Sequence, residues 1–338
     1  MSEYETFLAS RDWTGCGFSV AADDLPGPLY PFQARLTAWA LRKGRAALFT
    51  DTGTGKTRMQ LAWASKIPGR VLILAPLCVG QQTIAEGQTI GVAVGPVASG
   101  ASIEITNYER LHHVRVEDYA GVVLDESSIL KSFDGKTRTR LIAAFRDTPY
   151  KLCCTATPAP NDIAELANHC EFLGVMTRAE MLATFFVHTD DANGGRAGWR
   201  LKGHAHEAFY RWLACWGMFL RKPSDLGFSD EGYNLPPLAI DNRIVAAGPP
   251  LGGYLFPGMG LEGISGRLSA RRGSLKPRVD AALEIVEGTA DQIIVWCGLN
   301  DEQTAIADAL DGVCVSIAGQ DDEDEKAGKK SDATEVTL

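Results

Sequence analysis

The sequence has 338 residues, of which 45% are hydrophobic and 22% are charged. This is the composition of an ordinary globular protein and excludes a collagen-like or largely disordered chain, while a prior of about 150 residues per domain predicts two domains. The formal net charge is −9, and residues 321–338 contribute −4 of it. The mildly acidic remainder argues against nonspecific coating of nucleic acid, although a local basic groove is compatible with it.

Neither an export signal nor a membrane span is predicted. The N-terminus, Met1-Ser2-Glu3-Tyr4-Glu5, is acidic, and the longest apolar run, 71–79, is far shorter than a bilayer-spanning helix. The eight cysteines form no C-x-x-C pair, and a chain of this length does not need disulfides for stability. We therefore expect a cytoplasmic protein with reduced thiols.

The first half of the chain predicts a parallel sheet. Short apolar or β-branched runs alternate there with helix-compatible segments; the runs are 46–49, 71–75, 102–106, 121–124 and 151–154. Their continuous apolar character is typical of strands buried on both faces, as in an α/β fold whose parallel sheet is flanked by helices. Ligands of such folds bind at the carboxyl ends of the strands, so the residues that follow each run are the candidates for chemistry.

The second half predicts helices and then a new α/β unit. Helical patterns cover 162–173, 178–186 and 204–220, and apolar residues recur at helical spacing in the last of them, which indicates core packing. A glycine- and proline-rich stretch follows, and after it a helix (277–288), a buried strand (292–297), a helix (301–310) and a strand (313–317) are predicted. The resulting organisation is an N-terminal segment 1–24, a first lobe 25–245, a linker 246–274, a partial second lobe 275–320 and an acidic tail 321–338.

A phosphate-binding loop is predicted after the first apolar run, at Asp51-Thr52-Gly53-Thr54-Gly55-Lys56-Thr57. Its strand–loop–helix setting is that of a P-loop, in which backbone N–H groups and a helix N-terminus surround phosphate oxygens. Lys56 is expected to reach the β- and γ-phosphates of ATP, and the Thr57 hydroxyl to bind Mg²⁺. Thr50 stands where the general pattern has its first glycine, so the alternative is a glycine turn that happens to precede a lysine.

An acidic pair, Asp125-Glu126, follows the apolar run 121–124. A P-loop needs an acidic partner for its metal at the end of a neighbouring strand. We assign Asp125 to the Mg²⁺ and Glu126 to the base that orients the attacking water. Two adjacent acids at a strand end could also be solvated loop residues, but together with the P-loop they indicate a nucleotide hydrolase.

Further segments complete a series of motifs that resembles superfamily 2 helicases. They are the Q-motif-like Pro31-Phe32-Gln33, the motif Ia-like 74–77, the motif Ib-like 105–111, Asp125-Glu126-Ser127-Ser128 at the D-E-x-H or D-E-A-D box, and the motif III-like Thr155-Ala156-Thr157-Pro158. The series is most similar to the Swi/Snf-like double-stranded DNA translocases of phage and prophage type, over residues 29–320. This class tolerates a residue other than glycine at the position of Thr50, whereas Ser128 departs from the usual spellings of the box.

The resemblance implies two RecA-like lobes that bind ATP and Mg²⁺ and grip double-stranded DNA. It implies that Gln33 contacts the adenine edge, and that Thr155 and Thr157 couple hydrolysis to DNA binding. It also implies a set of residues that contact DNA, namely Asn107, Tyr108, Arg110 and Lys131. For the basic run Lys131, Lys136, Arg138 and Arg140, a phosphate-contacting patch and a solvated helix face remain equally open.

Three functions are compatible with these motifs. The first is a DNA-stimulated ATPase of translocase type; the second is an ATP- and DNA-binding module with little turnover, because the family's second lobe supplies arginines in its motifs V and VI and no arginine follows Arg278 here. Only 64 residues follow the linker, whereas an α/β lobe normally takes about 100 or more, so we expect an incomplete second lobe. The third, a small-molecule P-loop kinase, leaves Gln33 and Thr155-Ala156-Thr157 without a purpose and ranks last.

Overall fold

The computed structural model describes residues 14–131, 135–189, 198–234, 237–245, 271–310, 313–318, 321, 325 and 329. The chain divides into two compact units, one up to residue 235 and one from residue 236. Within the described ranges no helix combines the length and the apolar character that crossing a bilayer requires. Most of the predicted linker and acidic tail lies outside the described residues.

The first unit is built on a parallel sheet. Its described strands are β1 (Arg45–Thr50), β2 (Val71–Ala75), β3 (Val94–Pro96), β4 (Ile103–Asn107), β5 (Gly121–Asp125), β6 (Tyr150–Cys154), β7 (Phe186–Thr189), β8 (Gly198–Leu201) and β9 (Gly217–Leu220). Seven of them form the sheet in the order β3-β4-β2-β5-β6-β1-β9, with all neighbours parallel, while β7 and β8 form a separate antiparallel hairpin. The five predicted strands are thus confirmed, and β3 and β9 add an edge strand on each side.

Helices cover both faces of this sheet. They are α1 (Pro31–Lys43), α2 (Lys56–Ala64), α3 (Gly80–Thr89), α4 (Lys136–Ala144), α5 (Leu166–Leu173), α6 (Arg178–Phe185) and α7 (His206–Leu213). The side chains of β1 alternate between the faces: Ala46 and Leu48 pack with α1 and α2, whereas Ala47 and Phe49 pack with α5 and α7. This burial on both faces is what the continuous apolar runs predict, and the α/β fold class is confirmed.

The predicted helix 204–220 is wrong in its second half. The helix ends at Leu213, and Gly217–Leu220 forms strand β9, which pairs with Ala47–Thr50 of β1. Phe209, Trp212 and Trp216 are buried, as their spacing predicts, but that spacing does not reveal the open edge of β1. Pairing with this edge satisfies the backbone of residues 217–220 as well as a helix would.

The second unit contains two described helices, α8 (Leu275–Glu287) and α9 (Asn300–Ala309), joined by an ion pair between Arg278 and Glu302. The strands predicted over 292–297 and 313–317 are wrong: neither segment is paired in the described part of this unit. Ile294 and Trp296 are 78% and 90% exposed, so the apolar run is not buried. A strand needs a neighbour for its N–H and C=O groups, and a local apolar pattern cannot show whether one exists.

A buried carboxylate at the amino end of the sheet accepts hydrogen bonds from several neighbouring segments. Glu104 of β4 is fully buried and accepts hydrogen bonds from Arg70 (2.7 Å), from the Tyr119 hydroxyl and from the Gly100 N–H (3.1 Å). Burial alone raises the pKa of a carboxyl group, but these hydrogen bonds and the Arg70 charge outweigh it and leave the pKa of Glu104 below its ordinary value. The carboxylate form therefore stabilises the folded state.

Replacing this carboxylate is expected to destabilise the protein. Glu104→Ala leaves the Tyr119 hydroxyl and the Gly100 N–H without their acceptor, and we expect the free energy of unfolding to fall by about 2 kcal/mol in urea titrations at neutral pH. Because the unfolded chain binds the proton more tightly, the difference from wild type should shrink as the pH falls through the lowered pKa.

The matched control is Glu117→Ala. Glu117 pairs with Arg115, and the two side chains are 66% and 76% exposed, so its loss should change the free energy of unfolding by less than about 1 kcal/mol. Equal effects of the two substitutions would contradict the structural role of Glu104.

Candidate nucleotide-binding and hydrolysis site

Three predicted motifs meet at the carboxyl edge of the sheet. The P-loop follows β1, Asp125 and Glu126 lie at the end of β5, and Thr155 follows β6, which lies between β5 and β1. The register pairs Cys154 of β6 with Leu48 on one side and with Asp125 on the other. Residues 69 positions apart in the sequence, from Lys56 to Asp125, are thereby brought to one site.

The P-loop backbone has the shape of an anion cradle. Gly53 and Gly55 have φ angles of +78° and +81°, which side-chain-bearing residues rarely adopt. Helix α2 begins at Lys56, and its first i→i−4 hydrogen bond runs from the Met59 N–H to the Gly55 carbonyl. The amides that precede Met59 therefore have no carbonyl within the helix, and such amides are available to phosphate oxygens.

Two threonines close this loop. The Thr54 hydroxyl lies 2.9 Å from the Thr50 hydroxyl and 2.8 Å from the Asp51 carbonyl, and both threonine side chains are buried. The Asp51 carboxylate accepts a hydrogen bond from the Thr52 N–H at 2.7 Å. Thr50 therefore has a specific contact across the loop at the position where the general P-loop pattern has glycine.

Gln33 supports the P-loop from helix α1. Its Nε2 donates to the Thr54 carbonyl at 2.8 Å, its Oε1 accepts from the Tyr30 N–H at 3.0 Å, and the side chain is 2% exposed. A Cβ atom at Gly55 would lie only 2.3 Å from Gln33 Nε2, so this contact requires glycine. The carboxamide thus holds the loop, and its contact with an adenine edge stays a prediction.

Lys56 directs its ammonium group into the loop. Its Nζ donates to the carbonyls of Thr50 and Asp51 at 3.1 and 3.0 Å. Its positive charge also acts to lower the pKa of Asp125. A phosphate bound on the α2 amides would meet this ammonium, and the donor set therefore fits a polyphosphate.

Asp125 is held by two residues that sequence reasoning did not assign to it. Gln60 of α2 donates to its Oδ1 at 2.7 Å, and the buried Tyr108 hydroxyl donates to its backbone carbonyl at 2.6 Å. Burial raises the pKa of the Asp125 carboxyl, with the Gln60 hydrogen bond acting in the opposite direction. Gln60 lies one helical turn after Lys56, and this i, i+4 spacing is the signal that could have identified it.

The same carboxylate fits a magnesium ion. The described residues contain no group of three or more His, Cys, Asp or Glu side chains that could hold a metal by themselves. Mg²⁺ in phosphate-binding sites is commonly held by one or two protein oxygens together with substrate phosphates and water. Asp125, at the end of β5, and Thr57, the last residue of the P-loop, supply the two oxygen ligands that such a site requires.

Glu126 lies in an unusual backbone conformation and contacts motif III. Its φ angle is +54°, in the left-handed region, and its Oε1 accepts hydrogen bonds from Thr155 Oγ1 (2.5 Å) and Ser128 Oγ (3.0 Å). The Thr157 N–H donates in turn to Thr155 Oγ1 at 3.0 Å. Strained backbone of this kind is concentrated at functional sites, and the contacts join the acidic pair to Thr155 and Thr157.

The residues predicted to contact DNA fall into two groups. Tyr108 and Asn107 are 6% and 7% exposed, and the Asn107 side chain accepts a hydrogen bond from the Arg110 N–H at 2.8 Å. Arg110 and Lys131 are exposed and follow β4 and β5 at the carboxyl edge. In the basic run, Arg138 forms an ion pair with Glu171 of α5, whereas Lys136 and Arg140 are exposed on α4.

Comparison with solved structures identifies the fold of this region as helicase-like. An SWI2/SNF2 ATPase core from Sulfolobus solfataricus in complex with dsDNA matches with a TM-score of 0.50 and 19% identity, over 61% of this chain and 47% of its own. The UvsW helicase of bacteriophage T4 matches with a TM-score of 0.36 and 14% identity, over 52% of this chain and 65% of its own. The Pyrococcus furiosus Hef helicase domain matches with a TM-score of 0.36 and 16% identity, over 42% of this chain and 35% of its own.

No protein-family model and no curated protein sequence matches the chain at a significant level. The structural match to the SWI2/SNF2 core spans about half of that protein's own chain. At this level of identity it shows the fold alone, a parallel α/β sheet flanked by helices that matches the RecA-like domains of helicases.

Proposed function

We propose that this chain binds ATP with Mg²⁺ and hydrolyses it as a DNA-stimulated ATPase of the translocase type. The observation that carries the proposal is the meeting of Lys56, Asp125, Glu126 and Thr155 at the carboxyl ends of adjacent strands. A P-loop kinase would need the phosphate site and the metal carboxylate, but it would not need a hydroxyl of the β6 loop on Glu126.

The proposed chemistry divides among these residues. The α2 amides and the Lys56 ammonium bind and neutralise the β- and γ-phosphates, while Asp125 and Thr57 hold Mg²⁺, which shields phosphate charge when bound. Glu126 orients the attacking water and accepts its proton. Thr155 donates a hydrogen bond to the Glu126 carboxylate and thereby connects this general base to the loop after β6.

Double-stranded DNA is the proposed stimulating partner. Arg110 and Lys131 are exposed at the same edge of the sheet as the nucleotide site, and the structure with the TM-score of 0.50 was determined in complex with dsDNA. Contacts of this kind go mainly to phosphates, which makes binding salt-dependent and independent of sequence.

A second candidate, nucleotide and DNA binding with slow turnover, is favoured by one observation. No arginine follows Arg278 in this sequence, whereas the resemblance to superfamily 2 helicases implies motif VI arginines that stabilise charge on the γ-phosphate. Such an arginine contributes about 10³ to 10⁵ in turnover in the GTPases where it has been measured.

The two candidates differ in ATP turnover measured with and without a DNA duplex. For the ATPase we expect turnover that rises with duplex concentration, and a DNA affinity that falls about a thousandfold between 50 and 200 mM salt if about six phosphates are neutralised. Salt dependence is measured as the slope of the logarithm of the DNA-binding constant against the logarithm of the salt concentration. Replacing Arg110 and Lys131 by alanine should reduce this slope by about one for each phosphate that the variant no longer neutralises.

Arg42→Ala is the matched control for these variants, because Arg42 is exposed at the end of α1 on the amino side of β1. ATP binding without duplex-stimulated turnover would support the slow binding module instead. DNA-independent phosphoryl transfer to a small molecule would revive the kinase alternative.

A further inference from the structure

Side chains of helix α5 form hydrogen bonds with the turn that follows the acidic pair. This turn is a 3₁₀ segment, Ser127–Lys131, and Ser127 Oγ lies 3.1 Å from His169 Nε2. The neighbouring Asn168 donates from Nδ2 to the Leu130 carbonyl at 2.8 Å and is 3.3 Å from the Lys131 carbonyl. The side chains of Ser127, Asn168 and His169 are fully buried.

These polar residues occupy positions where apolar side chains would pack more simply. Cys170 and Phe172 of the same helix belong to the hydrophobic core, and the Phe49 ring packs edge-on against the His169 imidazole at 5.2 Å. His169 Nδ1 and Asn168 Oδ1 have no hydrogen-bond partner among the described residues. Burying half-satisfied polar groups costs free energy, and the buried imidazole is neutral at physiological pH because burial lowers its pKa to about 4.

The contacts of α5 with the turn affect Glu126 because hydrogen bonds hold the chain on both sides of that residue. We call these two sets of hydrogen bonds anchors. On its N-terminal side, the Tyr108 hydroxyl and Gln60 hold Asp125. On its C-terminal side, His169 and Asn168 hold the turn. A left-handed conformation at a non-glycine residue persists only where the surroundings impose it, and these two anchors flank Glu126 on both sides.

We propose that His169, with Asn168 beside it, is a positioning residue that locks the Ser127–Lys131 turn and thereby aims the Glu126 carboxylate at the attacking water. The inference rests on the proposed ATPase function. Helix α5 also follows Thr155 in the chain, so the loop that contacts the Glu126 carboxylate and the helix that contacts the Ser127–Lys131 turn belong to one continuous segment.

The test compares His169→Leu, His169→Gln, Ser127→Ala and the double variant Ser127→Ala/His169→Leu. We expect His169→Leu to lower kcat for ATP by about tenfold, as removal of a group that orients a ligand does in metal sites, with the KM for ATP unchanged. His169→Gln should restore most of the activity, because its terminal amide reaches about as far as Nε2. In the Ser127→Ala background, His169→Leu should have no additional effect.

The control is Phe172→Leu, which removes part of the packing of the same helix against Phe145; it should lower the melting temperature and leave kcat unchanged. A wild-type kcat in His169→Leu, or equal losses in His169→Gln and His169→Leu, would overturn the proposal. So would additive losses in the double variant.

A second measurement does not depend on catalysis. Hydrogen–deuterium exchange of nucleotide-free protein should show faster exchange of the amides of residues 128–131 in His169→Leu than in Phe172→Leu, and unchanged exchange there would also overturn the proposal. If the wild-type chain hydrolyses no ATP, the proposed function fails, whereas this comparison still decides whether His169 holds the turn.

Discussion

Lys56→Ala is expected to lower kcat/KM for ATP by about 10²- to 10³-fold, as removal of a preorganised group that stabilises developing charge does in other enzymes. The ammonium lies in the P-loop, where it donates to the Thr50 and Asp51 carbonyls. Steady-state hydrolysis, together with a titration of ATP binding, measures the loss. Both readouts should change, because the charge acts on bound and reacting phosphate alike.

The fold should survive this substitution. Lys56 is partly exposed at the start of α2, and the loss of its two hydrogen bonds should change the free energy of unfolding by no more than about 1 to 2 kcal/mol. Lys66→Ala is the matched control, because Lys66 lies beyond the other end of the same helix. Unchanged turnover and ATP affinity in Lys56→Ala would contradict the nucleotide site itself.

The features that the sequence could predict are those that depend on neighbouring residues in the chain. The strands 71–75 and 151–154 appear where their apolar runs place them because burial on both faces requires such runs. The shape of the loop after β1 was predictable for a similar reason, because its positive φ angles require Gly53 and Gly55. The roles of Lys56 and Asp125 in phosphate and metal binding stay predictions.

What could not be predicted depends on long-range pairing. Gly217–Leu220 is a strand only because the edge of β1 is open to it, and residues 292–297 are unpaired because no described strand lies beside them. The contact of His169 with Ser127 joins residues 42 positions apart, and no local periodicity marks such a pair. Gln60 is the intermediate case, since its spacing from Lys56 was visible although its partner Asp125 was not.

A substitution in the acidic pair Asp125-Glu126 is expected to have the second large effect on ATP hydrolysis. The two carboxylates have different surroundings. Asp125 is held by Gln60 from α2, whereas Glu126 is held by the hydroxyls of Ser128 and Thr155. A carboxylate with hydroxyl partners can exchange one of them for a water molecule without leaving a buried charge unpaired. This freedom suits a base that must meet the attacking water only after nucleotide has bound.

Glu126→Gln is therefore expected to lower kcat by about 10²- to 10⁴-fold, the range assigned to general-base catalysis, while ATP binding is retained. The amide keeps the size of the side chain and an oxygen that can accept from Thr155 and Ser128, but it cannot take a proton from water. Single-turnover hydrolysis separates this loss of chemistry from binding, and the variant should accumulate as an ATP complex.

The matched control is Glu109→Gln, since Glu109 is an exposed glutamate in the turn after β4, at the same edge of the sheet; it should hydrolyse ATP at the wild-type rate. Weakened ATP binding in Glu126→Gln with an unchanged single-turnover rate would assign Glu126 to binding instead of chemistry. A lower hydrolysis rate in both variants would mean that the total negative charge at this edge of the sheet matters, and not the Glu126 carboxylate in particular. Only a selective fall in the rate of the chemical step fits a carboxylate that the left-handed turn after β5 holds in place for proton transfer.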